Sequence, residues 1–430
     1  MKKAFLIPIL ITIITIGLAN CDHTTKDKII DNKLNQLLEQ KNYFKLRELL
    51  ESDKVKLSED KLLYYKAFIT KAFGENTQSN VYINVLLDQY KDKFNDTILV
   101  KIFDLKATNY LYNYEYKHAT EIYSKILNEY SKGLDSSDIA GYKNVINLFG
   151  TFANVKPQVK HTHNTVKIAS HRNKFNHLMT PVKSEGVLAE FIFDTGANLS
   201  TISESQAKKM NLTLFEQNVD VGSSTQINVQ SKLAVADSLF VGDILFENVV
   251  FLVMPNEQLT FPDINYKIDG IIGFPIIIQL EEVHMHKDGS ITVPGKPKKT
   301  NLKNTVFEGL NPIVQIFSDD DTLLFTFDTG ARNSELSFKY FNDHKSEIER
   351  KGELQTNQRG GTGGNTAVKE YMLNNFSMKI GSKSTELSKI PVMLEEYDFN
   401  KYFDGNLGQD VFTQFNTLII NFKYMYIDFQ

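Results

Sequence analysis

The sequence predicts a multidomain α + β protein, in which an N-terminal α-helical, repeat-like domain is followed by two all-β lobes that duplicate one another. Three observations predict this fold class: helical spacing of apolar residues in the first part, short β-branched and aromatic runs in the second, and a motif that occurs twice within the second part. The predicted boundaries are a signal peptide at 1–20, a tether at 21–28, helices at 29–132, a linker at 133–177, lobe 1 at 178–297 and lobe 2 at 298–430.

The N-terminal segment has the pattern of a signal peptide, because Lys2 and Lys3 precede an apolar run from Ala4 to Leu18. The run ends in Leu-Ala-Asn-Cys, which resembles a bacterial lipobox, although Asn20 stands where Gly or Ala is usual. The resemblance implies lipidation of Cys21 and attachment to a membrane of the cell envelope, on the periplasmic side or at the outer membrane. The alternative is an uncleaved anchor helix. Both interpretations place the rest of the chain outside the cytoplasm.

The composition excludes several classes of function. Cys21 is the only cysteine in 430 residues, which excludes intrachain disulfides, cysteine proteases and zinc–thiolate sites. The 48 basic and 52 acidic residues give a net charge of −4, so the chain lacks the basic footprint of a nucleic-acid-binding protein.

The region 29–132 is predicted to form helical hairpins. One stretch resembles the spacing of small and aromatic residues in a single tetratricopeptide repeat. Such a domain is either a groove that binds a peptide or partner, or a spacer that packs on itself, and the second interpretation is favoured. The β part, from about residue 150, is then expected to fold without the helices. The residues of the repeat-like stretch are Ala107, Tyr110, Ala119, Tyr123 and Ile126.

The predicted linker contains Pro157 and four of the nine histidines. The His-x-His pair formed by His161 and His163 could bind a metal, but no second pair or cysteine accompanies it. Solvated linker histidines are therefore favoured over a metal site, and no metal or other cofactor is predicted.

The β part repeats itself. Phe193–Ala197 reads Phe-Asp-Thr-Gly-Ala and recurs as Phe327–Ala331, 134 residues later, and Ser200 recurs as Ser334 at the same offset. The segment Asp-Gly-Ile-Ile-Gly, which ends at Gly273, corresponds to Asp-Gly-Asn-Leu-Gly, which ends at Gly408. The distance from Asp to the final Gly is 79 residues in the first copy and 80 in the second. A lone Asp-Thr-Gly is weak evidence, but two matched copies are a strong signal.

This pairing of Asp-Thr-Gly with an apolar-apolar-Gly element resembles the retropepsin and pepsin families of aspartic proteases, and the following Ala resembles the retropepsin side. The resemblance covers about residues 178–430 and implies two retropepsin-like barrel lobes with Asp194 and Asp328 as the catalytic pair. Two carboxyl groups that share one proton can activate water and protonate the substrate carbonyl, as in pepsin. A peptide or protein substrate is implied, and because both copies lie in one chain, a monomeric catalytic unit.

The resemblance also assigns supporting roles. Thr195 and Thr329 are expected to bond across to the loop of the opposite lobe. Gly196 and Gly330 are expected to let the backbone turn tightly after each aspartate. The elements ending in Gly273 and Gly408 should pack behind the two loops, and Asn406, which replaces an apolar residue, should slightly weaken the support in lobe 2.

Gly-rich segments in both lobes are flap candidates, since retropepsin-like enzymes close β-hairpins over the substrate. The candidates are Gly222 and Ser223 in lobe 1, and Gly361, Thr362 and Gly363 in lobe 2. The alternative is a flexible loop without a catalytic role. For the whole protein, the alternative to an aspartic endopeptidase is a catalytically silent envelope protein that uses the helical domain for binding or as a scaffold.

The lipobox resemblance generates a test in cells. Replacing Cys21 by Ser should release the protein from the membrane or leave it unprocessed, because the thiol is the group that would be lipidated. Membrane fractionation and the mass of the N-terminal peptide measure this outcome. A wild-type mature protein recovered freely soluble, with an unmodified Cys21, would contradict the prediction.

Overall fold

The computed structural model describes residues 28–430 apart from 53–55, 163, 223–228, 362–363 and 397–400, and only the backbone of 359–361 and 364–365. The predicted signal peptide, Cys21 and most of the tether lie outside the described residues. In the part of the chain that is described, no helix combines the length and the apolar character that a membrane crossing requires.

Helices occupy the first part of the described chain, and side-chain caps fix several of their starts. The Asn42, Asn95 and Asp135 side chains each accept a hydrogen bond from a backbone N–H in the first turn of the following helix. The helices are α1 (28–39), α2 (Tyr43–Leu50), α3 (Glu59–Ala72), α4 (Asn76–Gln89), α5 (Asp96–Tyr112), α6 (Tyr116–Tyr130) and α7 (Ser136–Gly150).

The first six helices form three successive hairpins with similar turns. A residue with positive φ lies in each turn: Lys41 at 56°, Gly74 at 78° and Tyr114 at 60°. The sequence predicts one repeat-like copy here, whereas the structure has three hairpins within residues 28–130. The left-handed position is filled by Lys, Gly and Tyr in turn, so no sequence motif marks it.

The predicted linker 133–177 differs from the structure. Residues Ser136–Gly150 form α7, and three short strands follow, each of which pairs with a strand of the β part. Gly141 and the polar start of α7 weaken the helical pattern in the sequence. The helix is held by tertiary packing, since Phe149 and Phe152 are buried with Leu233 and Val235 of lobe 1.

Strands dominate from residue 159. They are β1 (Val159–His161), β2 (Val166–Ile168), β3 (His171–Arg172), β4 (Leu178–Ser184), β5 (Val187–Phe193), β6 (Ser200–Ser203), β7 (Thr213–Val221), β8 (Val229–Val241), β9 (Ile244–Met254), β10 (Thr260–Phe261), β11 (Tyr266–Lys267), β12 (Gly270–Ile272), β13 (Glu282–His286), β14 (Ile291–Val293), β15 (Thr305–Glu308), β16 (Asn311–Ser318), β17 (Asp321–Phe327), β18 (Glu335–Leu336), β19 (Glu353–Gly361), β20 (Gly364–Ile380), β21 (Lys383–Met393), β22 (Gly405–Leu407), β23 (Thr417–Asn421) and β24 (Tyr426–Phe429). Four helices lie between the described strands: α8 (Glu204–Lys209), α9 (Phe274–Gln279), α10 (Phe338–Lys351) and α11 (Gln409–Phe412).

Two larger sheets carry the lobes. The lobe 1 sheet runs β1-β9-β6-β12-β5-β4-β8-β7, with β3 beside β4, and β8 also pairs with β9. The lobe 2 sheet runs β15-β16-β17-β22-β18-β21-β20-β19, and β16 also pairs with β20. Each extra pairing closes a ring of strands, β4-β5-β12-β6-β9-β8 in lobe 1 and β16-β17-β22-β18-β21-β20 in lobe 2. Both lobes are therefore small closed barrels.

A third sheet joins the two lobes. It runs β2-β14-β13-β23-β24, and its central pairing places Glu282–His286 of lobe 1 antiparallel to Thr417–Asn421 of lobe 2. The Asn421 amide also donates to the Glu282 carboxylate at 2.7 Å. The backbone hydrogen bonds of this sheet hold the lobes side by side.

The helical domain packs directly against the base of the lobes. The turns of its three hairpins face this base: Lys41 pairs with Glu308 at 3.0 Å, a Cβ at Gly74 would contact Met425 and Phe307, and the Tyr114 hydroxyl donates to the Pro275 carbonyl at 2.6 Å. One core of buried apolar side chains extends from α1 through both lobes. This packing differs from the expectation that the β part folds alone, because removing the helices would expose the apolar base.

Glu308 tests this interface. Burial would raise its pKa, but the charges of Lys41 and Lys71 and the hydrogen bond from Tyr43 outweigh burial and hold the pKa below its ordinary value. Glu308→Gln should lower the free energy of unfolding by about 1–3 kcal/mol near neutral pH. A lowered carboxyl pKa contributes stability that is present above the ordinary pKa and lost as the pH falls through the folded pKa, so the deficit should shrink below about pH 4.5.

Urea denaturation as a function of pH measures this effect. Glu129→Gln is the matched control, because Glu129 forms an exposed pair with Lys125 at 3.5 Å and should change the stability by less than about 0.5 kcal/mol. Equal effects of the two substitutions would show that Glu308 does not stabilise the packing of the helical domain against the lobes.

Candidate active site

Each aspartate leaves the core at the end of an apolar strand. Asp194 follows β5, and its N–H donates to the Ile272 carbonyl of β12 at 3.0 Å. Asp328 follows β17, and its N–H donates to the Leu407 carbonyl of β22 at 3.1 Å. In both lobes the strand that carries the aspartate runs parallel to the short strand that precedes the final glycine. The same backbone pairing thus fixes both carboxyl groups.

The two aspartate loops are joined by four reciprocal hydrogen bonds between fully buried threonines and the opposite lobe. The Thr195 hydroxyl donates to the Phe327 carbonyl at 2.7 Å and accepts from the Thr329 N–H at 3.0 Å. The Thr329 hydroxyl donates to the Phe193 carbonyl at 3.0 Å and accepts from the Thr195 N–H at 3.0 Å. Each threonine therefore bonds to the loop of the opposite lobe through both its hydroxyl and its N–H group.

The glycines bring the two carboxyl groups together. A Cβ at Gly196 would lie 2.5 Å from Cγ of Asp328, and a Cβ at Gly330 would lie still closer to Cγ of Asp194. Each carboxyl group therefore rests against the glycine of the opposite loop, where no side chain fits. Each glycine N–H also donates to the aspartate of its own loop at 2.8 Å. The side chains of Asp194 and Asp328 remain partly accessible to solvent, at the surface where the lobes meet.

Both carboxyl groups have a raised pKa. Burial, followed by the negative charge of Asp328 and the hydrogen bond between the two groups, raises the pKa of Asp194 well above its ordinary value. Burial also raises the pKa of Asp328, but hydrogen bonds from Asp194, from the Gly330 and Ala331 N–H groups and from Asn406 oppose it. Raised pKa values in two adjacent carboxyl groups are what a pair that shares one proton requires.

The glycines behind the loops are also closely packed. The Gly273 N–H donates to the Ser200 hydroxyl at 3.1 Å, and the Gly408 N–H donates to the Ser334 hydroxyl at 2.9 Å. A Cβ at Gly273 would lie 2.6 Å from the Leu199 backbone. The recurrence of the two serines is visible in the sequence, but their bonds to the glycines follow only from the structure.

Gln409 forms a contact between the lobes that is not predicted from the sequence. Its buried amide donates to the Thr329 carbonyl, and its amide oxygen accepts from Arg172 at 2.7 Å. Arg172 lies in β3, within the predicted linker. The sequence contains one indication of this contact, because the polar Gln409 follows Gly408, whereas the apolar Phe274 follows Gly273.

Both flap candidates lie at hairpins. In lobe 2, Gly361 pairs with Gly364 at the end of the β19–β20 hairpin, and Thr362 and Gly363 lie outside the described residues. In lobe 1, exposed Gly222 follows β7 in the β7–β8 hairpin, and Ser223 lies outside the described residues.

The linker histidines have separate neighbours. His161 lies 3.3 Å from Glu247, His171 lies 3.3 Å from Glu190, and His177 contacts the Tyr266 hydroxyl at 2.7 Å, whereas His163 is outside the described residues. Among the described residues, no group of three or more His, Cys, Asp and Glu side chains is arranged to hold a metal ion.

Comparison with known proteins adds one finding. A family model described as aspartyl protease matches residues 180–276, a segment that contains Asp194 and Gly273. No curated protein matches the chain. The match supports an aspartyl protease domain in this part of the chain.

Thr195 tests the junction between the loops. Thr195→Val keeps the shape but leaves the Phe327 carbonyl and the Thr329 N–H buried without this partner, which should cost about 1–3 kcal/mol for each group. Thr195→Ser retains the hydroxyl and should cost about 1 kcal/mol for the lost methyl group. Denaturant unfolding of both variants measures the difference, and equal losses would show that the cross-lobe bonds do not stabilise the fold.

Proposed function

We propose that the protein is an aspartic endopeptidase that hydrolyses peptide bonds with a water activated by Asp194 and Asp328 of the same chain. The observation that carries this proposal is the reciprocal packing of the two loops, in which each carboxyl group lies against the glycine of the opposite lobe. Two carboxyl groups held this closely share one proton, and a shared proton provides both a base and an acid.

The shared proton allows one carboxyl group to act as the base and the other as the acid in the first step. Asp328, as the carboxylate, accepts a proton from water while the water oxygen attacks the peptide carbonyl carbon. Asp194, as the acid, donates its proton to the carbonyl oxygen, which gives a neutral tetrahedral diol. When the C–N bond breaks, Asp328 returns a proton to the leaving nitrogen and Asp194 takes the proton of a diol hydroxyl. Both groups then regain their starting state.

We also propose that lobes 1 and 2 are copies of one retropepsin-like unit. The sequence repeat supports this proposal, and so do the matched ring orders. In lobe 1 Lys183 of β4 lies opposite Phe240 of β8, and in lobe 2 Phe317 of β16 lies opposite Lys379 of β20, at positions that the repeat relates to one another. A single chain with both copies requires no second subunit for its site, which supports a monomeric catalytic unit.

The substrate proposed is a peptide or protein segment in extended conformation. The β7–β8 and β19–β20 hairpins, which carry the Gly-rich segments, are suited to hold such a segment by its main chain. The lipobox resemblance supports an envelope location with Cys21 as the membrane anchor, and the helical domain then braces the lobes from below.

Single substitutions of the aspartates test the activity. Asp194→Asn or Asp328→Asn should lower kcat/KM for a cleavable library peptide by at least about 100-fold, because either change removes the shared proton. The double variant should be little worse than either single one, since the two groups act as a unit. A folded, monomeric Asp328→Asn protein that cleaves at the wild-type rate would overturn the dyad. A wild-type protein inactive from acidic to neutral pH would favour the scaffold alternative.

Thermal unfolding of Asp194→Asn shows whether the variant is folded. The raised pKa of Asp194 contributes stability that is fully present below its ordinary pKa of 3.8 and lost as the pH rises towards the folded pKa. The amide side chain introduced in the variant stays uncharged over this whole pH range. The variant should therefore melt above the wild type near neutral pH, and the difference should shrink towards pH 4.

A further inference from the structure

Hydrogen bonds join the first strands of lobe 1 to the aspartate loop of lobe 2. The guanidinium group of Arg172 in β3 donates to the Asn176 carbonyl at 3.1 Å and to the Gln409 amide oxygen at 2.7 Å. The Gln409 N–H in turn donates to the Ala331 carbonyl at 2.9 Å. Arg332, which follows Ala331, is therefore held beside the segment that links β3 to β4.

Arg332 lies at the edge of the candidate active site. The Ala331 N–H donates to the Asp328 carboxylate at 2.9 Å. Adding the N–Cα bond and the distance between successive Cα atoms places the Cα of Arg332 within about 8 Å of this carboxylate oxygen. A peptide in extended conformation advances about 3.3 Å per residue, so this distance spans about two to three substrate residues. The Arg332 side chain is exposed and can reach a substrate residue close to the scissile bond.

The two guanidinium groups of this contact have no acidic partner in the part of the chain that the structure describes. Neither Arg172 nor Arg332 lies within ion-pair distance of a carboxylate there, and the Nε of Arg172 is buried without a hydrogen-bond partner. The carboxylate of Asp410, which follows Gln409, accepts from the N–H of Ser334 at 2.9 Å and from its hydroxyl at 2.6 Å. An anionic group of a substrate would therefore meet an uncompensated positive charge at this edge.

The neighbouring titratable groups do not cancel this charge. Burial, and then the positive charge of Arg332, lowers the pKa of His177, whose Nδ1 lies 2.7 Å from the Tyr266 hydroxyl, so the imidazole is neutral at pH 7. The Lys174 amine is a further cation, and it donates to the Ile264 carbonyl at 3.2 Å. A guanidinium group keeps its proton over the whole pH range of a peptidase assay, so the positive charge at this edge is permanent.

The corresponding positions on the other side of the site are uncharged. They follow from the repeat and, for the arginine in β3, from the strand register. The counterparts of Arg332, Gln409, Arg172 and His177 are, in that order, Asn198, Phe274, Phe307 and Asn311. Phe307 lies beneath the helical domain, where its ring centre is 5.7 Å from that of Tyr112. These positions therefore give the cleft a positive side and a neutral side, although the two lobes repeat one another in sequence.

We propose that Arg332 is a specificity-determining residue that selects an acidic side chain of the substrate about two or three residues from the scissile bond, on one side of that bond. Arg172 adds a second positive charge behind it. A carboxylate can accept two parallel hydrogen bonds from a guanidinium group, which suits this task. A peptide has a direction, and a charge on one side of the cleft favours one of the two directions. This inference rests on the proposed function and narrows its substrate class to acidic peptides.

Cleavage of a peptide library, read by mass spectrometry, tests this preference. Glu and Asp should be enriched within about three residues of the cleaved bond, on one side only. Two synthetic peptides with Glu or Gln at the enriched position then give a ratio of kcat/KM values. The wild type should favour the Glu peptide about fivefold, as expected of an exposed ion pair. The ratio should fall towards one in Arg332→Asn, since lobe 1 has Asn at this position, and should persist in Arg332→Lys.

Three controls identify the ion pair. Arg350→Asn, at an exposed position in the last turn of α10, should leave the ratio unchanged. Raising the salt concentration should lower the ratio, because salt screens exposed charges. The ratio should also shrink below about pH 4.3, where the glutamate of the peptide becomes protonated. In Arg332→Glu the preference should reverse, so that a peptide with Lys at the enriched position is cleaved faster than the Glu peptide.

The outcomes separate this inference from the proposed function. An active wild type without an acidic preference, or with a preference that Arg332→Asn retains, would overturn the role of Arg332 and leave the dyad intact. A wild type that cleaves nothing would overturn the proposed function. The same library is then passed over immobilised Asp194→Asn protein with and without Arg332→Asn. Retention of acidic peptides that depends on Arg332 would support its role in binding, and equal retention by both proteins would overturn it.

Discussion

The four hydrogen bonds between Thr195, Thr329 and the opposite backbone are the constraint on which the site depends. Two carboxyl groups repel one another when both are ionised, so they stay adjacent only if the backbone that carries them is fixed by other bonds. Because both threonines are fully buried, water does not compete for these bonds in the folded protein, and separating the lobes would break all four of them. The glycines then allow each loop to approach the carboxyl group of the other.

The rest of the fold supports this junction from a distance. The sheet that joins β13 to β23 fixes the lobes relative to each other, and Gln409 adds a bond between Arg172 in lobe 1 and the Thr329 loop. Below them, the turns of the helical hairpins contact the ends of strands and loops from both lobes. Glu308 and Pro275, one from each lobe, both receive hydrogen bonds from tyrosines of the helical domain. The helices therefore brace the two lobes as one body.

The aspartate loops of the site were more predictable from the sequence than the contacts between the domains. Asp-Thr-Gly and the later glycine are short local motifs, and their repetition marks the residues that the structure brings together. The linker prediction differs from the structure because α7 and β1–β3 are stabilised by partners far along the chain, which local patterns do not contain. Likewise, the polar character of Asn406 is visible in the sequence, but its hydrogen bond with Thr326, 80 residues earlier, forms only when the two strands pair in the sheet.

The pairing of β13 with β23 has a consequence for synthesis. The residues of β13 and those of β23 are separated by more than 130 positions, and β22, which anchors Asp328, also comes late in the chain. A nascent polypeptide made only to residue 404 contains both Asp-Thr-Gly motifs but lacks the strand that supports the second motif and the strand that joins the lobes. The two carboxyl groups cannot meet in such a precursor. Order of synthesis thus delays assembly of the pair until nearly the whole fold exists.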